Sequence, residues 1–167
     1  MGIRLEVNGI GLRIYTAHMK QQSTNSRDDI RAQFDEIKTQ FRSANSGREP
    51  MILICDANVH VGGSVINGCG DKQDWGGKEL VTLMQDEGLT LINSMDICTG
   101  VVTRIDPRDG NQSTIDLAIC NPYMIGKLSE MNIDEEEDFK LKNYGKRITQ
   151  TDHNTIVVKL NIKHMKN

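Results

Sequence analysis

Asp56, Asn58, Asp116, Asp152 and His153 are residues of this 167-residue chain whose types and spacing suit phosphate or proton chemistry. Asp56 directly follows the apolar run Met51 to Cys55, Asp116 lies between Ile115 and Leu117, and Asp152 precedes His153 and another strand-like stretch. Strand ends are where layered folds of strands and helices set their sites. Asn58 follows Asp56 by two residues, so in an extended chain its amide points to the same side as the carboxylate. Such a pair holds a water and a phosphate oxygen. An acid among Ile115, Leu117 and Ile119 is costly to bury alone, so Asp116 needs a partner. His153 supplies one, because a carboxylate beside an imidazole orients the ring and favours its cation. Plainer readings stand beside these. An Asp after a strand is commonly a turn former or helix cap, the favoured reading for Asp56 taken alone, and an Asp–His pair serves structure as readily as catalysis.

The elements around these residues must hold them. Gly11 to Ala17 reads as a strand, and Arg4 to Val7 pairs with it across the turn-forming Asn8-Gly9. From Asp28 onward Ile30, Phe34, Ile37 and Phe41 recur at helical spacing behind a capping-box-like Ser26 and Asp29, and Gly47 and Pro50 end the helix. Met51 to Cys55 is apolar on both faces and belongs in the middle of a sheet. Gly62 to Gly77 reads as a loop leading into a short helix with Leu80, Leu83 and Met84 on one side and Gly88 as its stop. Leu89 to Asn93, Thr114 to Cys120 and Thr155 to Ile162 read as strands, with a turn over Asp106 to Asn111. Helices placed singly between strands predict an α/β or α+β layered sandwich, here as one domain over residues 1–167.

Composition narrows the partners. Twenty Lys and Arg against 23 Asp and Glu leave a net charge of -3, so no global positive field draws the chain onto nucleic acid and any phosphate contact must be local. The acidic run Asp134 to Asp138 reads as a solvated turn, and Lys140, Lys142, Lys146 and Arg147 as the bases that neutralise it. Cys55 and Cys120 end apolar runs and read as buried, reduced thiols, while Cys55, His60 and Cys69 offer three ligands at no recognised zinc spacing. The apolar runs are too short to span a bilayer, and Arg4, Glu6 and Asn8 interrupt the start where a signal peptide needs apolar residues. An intracellular location is expected.

Ile52-Leu53-Ile54-Cys55-Asp56-Ala57-Asn58, Ser113-Thr114-Ile115-Asp116-Leu117 and Thr151-Asp152-His153, in that order, resemble the signatures of the endonuclease/exonuclease/phosphatase superfamily. The usual first signature is Gly-Asp-Phe-Asn and the usual last is Ser-Asp-His; Cys55, Ala57 and Thr151 depart from them without removing a polar atom used for chemistry. Thr103-Arg104 followed by Asp106 to Asp116, and the run Met131 to Asp138, look most like the endonuclease domains of non-LTR retrotransposons. The resemblance spans about His18 to Val158. It implies two mixed β-sheets flanked by helices and hydrolysis of a phosphodiester with Mg²⁺ or Mn²⁺. It further implies Asp56 activating a water, Asn58 and His18 holding phosphate oxygens, His153 oriented by Asp116 stabilising charge, and Asp152 binding metal. DNA is the implied substrate.

The superfamily opens with strands carrying an Asn and a metal-binding Glu. Only Met1 to Ala17 precedes His18 here, and Glu6 lies in the strand next to the His18 strand. The resemblance therefore implies the C-terminal two thirds of a nuclease domain, truncated at its start, with low activity and a homodimer, a missing N-terminal segment or a reverse transcriptase domain as partner. Two alternatives accompany it: a phosphodiesterase acting on a soluble phosphoester, and a catalytically dead, self-associating remnant.

Overall fold

A strand with apolar side chains on both faces needs a cover on each. In the computed structural model, which describes residues 1–135, 152–161 and 163, the run Met51 to Cys55 receives both. The elements are β1 (Gly2–Val7), β2 (Ile10–His18), α1 (Arg27–Ser46), β3 (Met51–Asp56), α2 (Trp75–Asp86), β4 (Thr90–Leu91), β5 (Cys98–Thr99), β6 (Arg104–Ile105), β7 (Gln112–Ser113), β8 (Asp116–Cys120), α3 (Pro122–Ile125), β9 (Leu128–Ile133) and β10 (Ile156–Leu160). The main sheet runs β1-β2-β3-β8-β4, with β2 and β3 parallel and the other neighbours antiparallel. A second mixed sheet runs β10-β9-β5, and β6 and β7 form a two-stranded ribbon.

Alternation along the strands divides the core in two. Met51, Leu53 and Cys55 of β3 and Leu117 and Ile119 of β8 face α1 and α2, meeting Ile30, Phe34, Ile37, Phe41, Leu80, Leu83 and Met84. Ile52 of β3, Ala118 and Cys120 of β8 and Leu12 of β2 face the second sheet, meeting Met131 and Ile133. Helices, main sheet and second sheet thus form three layers, the layered sandwich that the pattern predicts, with the two mixed sheets that the resemblance implies. Asn121 is fully buried at their junction. Its Oδ1 accepts from the Met51 amide at 3.0 Å, and its Nδ2 donates to the Asn45 side chain at 2.9 Å and the Glu49 carbonyl at 2.8 Å, tying the end of α1 to the start of β3.

The hairpin and α1 form where the sequence places them. Asn8 (φ 53°) and Gly9 (φ 80°) supply the two left-handed residues of the β1–β2 turn, and Ser26 caps α1 by accepting from the Asp29 amide at 3.1 Å. Other boundaries move. α2 begins at Trp75, inside the expected loop, because Asp74 caps it by accepting from the Gly77 amide at 2.7 Å. Gly77 is needed there, since a Cβ would collide with the His60 carbonyl oxygen. The expected strand Leu89 to Asn93 stops at Leu91 and becomes a 3₁₀ turn over Ile92–Ser94. The Asn93 side chain takes over as the partner of β8, its Oδ1 accepting from the Ala118 amide at 2.8 Å. Thr114 and Ile115 precede rather than join β8, their amides taken by Asp71 Oδ2 and Thr103 Oγ1. The last strand is shortened to Ile156–Leu160; Ile162, residues 136–138 of the acidic run, and Lys140, Lys142, Lys146, Arg147 and Thr151 lie outside the described residues.

All four thiols are free. Cys55 and Cys120 sit on opposite faces of the main sheet, and burial pushes both up to about 12.

Phe34 is 4% exposed. Replacing it with Ala should leave a cavity between α1 and the main sheet and lower unfolding stability by roughly 3–5 kcal/mol, measured by urea denaturation. Unchanged stability would mean that α1 does not pack through this face.

Candidate active site

Strand register brings three of the expected residues into one row. In the parallel β2–β3 pair His18 stands opposite Asp56, and in the antiparallel β3–β8 pair Asp56 stands opposite Asp116. Paired residues project to the same side of a sheet, and here that is the side of Ile52 and Ala118, facing the second sheet. Asp56 terminates β3 and Asp116 begins β8, so the row stands at one end of the sandwich. His18 Nε2 lies 3.4 Å from Asp56 Oδ2.

His153 reaches the row from the opposite layer. The backbone of residues 152–154 pairs with β6: the Ile105 amide donates to the Asp152 carbonyl at 2.8 Å and the Asn154 amide to the Thr103 carbonyl at 2.7 Å, making an antiparallel bridge between Arg104 and His153. Asn154 Nδ2 adds a bond to the Val102 carbonyl at 2.8 Å. With its backbone clamped, His153 places Nδ1 2.8 Å from Asp116 Oδ2. The Asp–His pair read from the sequence is therefore an oriented one.

Asp116 is 16% exposed at its side chain, and its setting explains how it is tolerated. Thr103, wholly buried, accepts from the amides of Ile115 and Asp116 at 2.9 Å each, and Asn93 Nδ2 donates to the Asp116 carbonyl at 3.2 Å. Burial raises the Asp116 carboxyl above its ordinary value; the hydrogen bond and charge of His153, and Thr103, pull it back, and Asp56 adds to the rise. The net direction is upward.

Asn58 and Asp152 are held differently from expectation. The chain leaves the extended conformation after β3, with Asn58 at φ 50°, and Asn58 Nδ2 donates to the Met19 carbonyl at 2.8 Å while its amide approaches Asp56 Oδ1 at 3.3 Å. The Asn58 side chain thus clamps the ends of β2 and β3 together beside Asp56. Asp152 accepts from Arg104 Nε at 2.8 Å, and its other oxygen lies 3.8 Å from His153 Nε2. Burial works to raise the Asp152 carboxyl, but Arg104, the residue's own amide and His153 outweigh it and hold it below the ordinary value. Arg104, Thr103 and Asn93 act here without having been singled out for these roles from the sequence. The only hint was the Thr103-Arg104 pair ahead of the turn.

The donor set suits a hard divalent cation. Asp56, Asp116 and His153 each offer an atom within 4.8 Å of the others, and two carboxylates in such a group are the oxygen ligands that Mg²⁺ or Mn²⁺ takes. Cys55, by contrast, is buried within β3, among the side chains facing α1 and α2.

No protein-family model and no curated protein matches the chain. Solved structures do. The endonuclease domain of TRAS1, a telomere-specific non-LTR retrotransposon, superposes with a TM-score of 0.62 at 24% identity, covering 90% of this chain and 57% of that one. The 3' phosphatase NExo from Neisseria, bound to product DNA hairpin, gives 0.66 at 16% identity over 96% and 64%. An endonuclease/exonuclease/phosphatase family protein from Leptotrichia buccalis gives 0.59 at 20% over 96% and 52%. The chain has the fold of the endonuclease/exonuclease/phosphatase proteins, and it spans between about half and two thirds of the length of these three.

Because the folded Asp116 pKa lies above its unfolded one, the native state holds this proton more tightly. Its contribution to stability is full below 3.8 and is lost as pH rises through the raised value. Unfolding free energies of the unaltered chain and Asp116→Asn, taken by urea denaturation at stepped pH, should show their difference falling as pH climbs from 3.8. A flat difference would remove the burial argument.

Proposed function

We propose that this chain is a divalent-metal-dependent phosphodiesterase domain that nicks DNA, of the kind carried by non-LTR retrotransposons and acting in the nucleus. The observation that supports the reading most is the junction of His18, Asp56, Asp116 and His153 at one end of the sandwich, with 3.4 Å between His18 and Asp56 and 2.8 Å between His153 and Asp116. The likeness to the TRAS1 endonuclease domain and to a phosphatase bound to a DNA hairpin supports the substrate class.

In this reading Asp56 accepts the proton of the attacking water. His18, 74% exposed at its side chain, holds a phosphate oxygen, while Asn58, bonded to the Met19 carbonyl, keeps the ends of β2 and β3 in place beside Asp56. His153, fixed by Asp116 through Nδ1, turns Nε2 towards the charge that develops on the phosphate. Arg104 keeps Asp152 beside that ring. Asp56 and Asp116, with Asp152 nearby, would hold Mg²⁺ or Mn²⁺, which would supply positive charge to offset that of the phosphate.

Supercoiled plasmid incubated with the chain and Mg²⁺ or Mn²⁺ should relax, and EDTA should stop it. His153→Ala should slow nicking roughly 10²–10³-fold without changing the melting curve. Equal rates for the two chains would assign the nicking to a contaminant. Phosphate release from inositol phosphates with intact plasmid would instead assign the site to a soluble phosphoester.

A further inference from the structure

The outer edge of β1 is matched to itself. β1 ends the main sheet, and among the described residues no strand pairs with its outer side. Which backbone groups face outward follows from the pairing with β2. The Met1 amine donates to the Thr16 carbonyl and the Thr16 amide to the Met1 carbonyl, both at 2.8 Å. Hydrogen-bonded pairs alternate along an antiparallel ladder, so Ile3, Leu5 and Val7 bond inward to β2, whereas Gly2, Arg4 and Glu6 present N–H and C=O groups to the edge.

The side chains follow the same alternation. Ile3 and Leu5, 51% and 43% exposed, lie on the face of Leu12, which packs towards the second sheet; Arg4 and Glu6 lie on the other face. An antiparallel partner centred on Leu5 has one self-consistent register. Arg4 stands opposite Glu6 of the partner and Glu6 opposite its Arg4, in the pairs whose backbone groups point outward. Leu5 then meets Leu5, and Ile3 meets Val7. Opposite charges and apolar stripes are both matched, and every outward donor between Arg4 and Glu6 finds an acceptor. Glu49 takes Nε and Nη2 of Arg4, which still leaves the Arg4 side chain 63% exposed to meet the partner.

We infer that two copies of this chain associate through their β1 edges, antiparallel about a two-fold axis at Leu5, joining the two main sheets into one. This surface is separate from the His153 site, so the association stands or falls independently of the proposed activity.

Light scattering at tens of micromolar should give twice the 18.7 kDa chain mass. Glu6→Pro removes an outward N–H without touching an inward bond, and Glu6→Lys sets like charges opposite Arg4; each should raise the dimer Kd about tenfold or more. Register is read by oxidation. At a pair that is not hydrogen-bonded the Cα atoms lie about 4.5 Å apart, within disulfide reach, so Leu5→Cys should form a covalent dimer faster than the unaltered chain with its own four thiols. Ile3→Cys, facing Val7 of the copy, should not. A monomer at these concentrations, a dimer indifferent to both Glu6 substitutions, or crosslinking equal at positions 3 and 5 would each overturn the inference.

Discussion

A carboxylate between Ile115 and Leu117 is the constraint on which the arrangement depends. Asp116 is held with its side chain mostly out of water, and a buried acid left alone is costly. The remedy recruits separate parts of the chain. Thr103 holds the amides at the mouth of β8, Asn93 holds the Asp116 carbonyl, Asp71 holds the Thr114 amide, and His153 meets the carboxylate. Satisfying one acid thereby fixes where β4 ends, where β8 begins and how residues 152–154 dock on β6. The pairing that makes His153 chemically useful is also the one that makes Asp116 tolerable.

The parts of this fold legible in the sequence are those written in repeating patterns. Spacing of Ile30, Phe34, Ile37 and Phe41 gives α1, and the two-faced apolar run gives β3 its central place. Asn8-Gly9 gives the hairpin because few other residues adopt two successive left-handed conformations. Asp116 and His153 could be paired on cost alone, since an acid amid Ile and Leu needs a partner. The illegible parts are single bonds from side chains to distant backbone. Nothing in the residues around Asn93 says that its side chain will continue the pairing of β4 by accepting from the Ala118 amide, 25 positions away, and a lone Thr103 carries no periodic signal.

Arg104 shows the same limit at the site itself. A basic residue beside a turn reads as surface charge, yet its Nε bonds Asp152 while its backbone bridges His153. Two different contacts from one residue hold both members of the Asp152-His153 pair. Asn58 differs for a related reason: spacing of two along a strand places it beside Asp56, but the strand ends at Asp56 and the amide instead fastens Met19.

The placement of Cys55 and Cys120 gives the chain a clock of its own. Both thiols are held protonated and inaccessible, one on each face of the main sheet. A thiol reagent can reach them only when the layers separate. Their labelling times the opening of the helical and the second-sheet layers independently, Cys55 reporting one and Cys120 the other. Cys69 and Cys98, only partly buried, mark the fast background against which that slower chemistry is read.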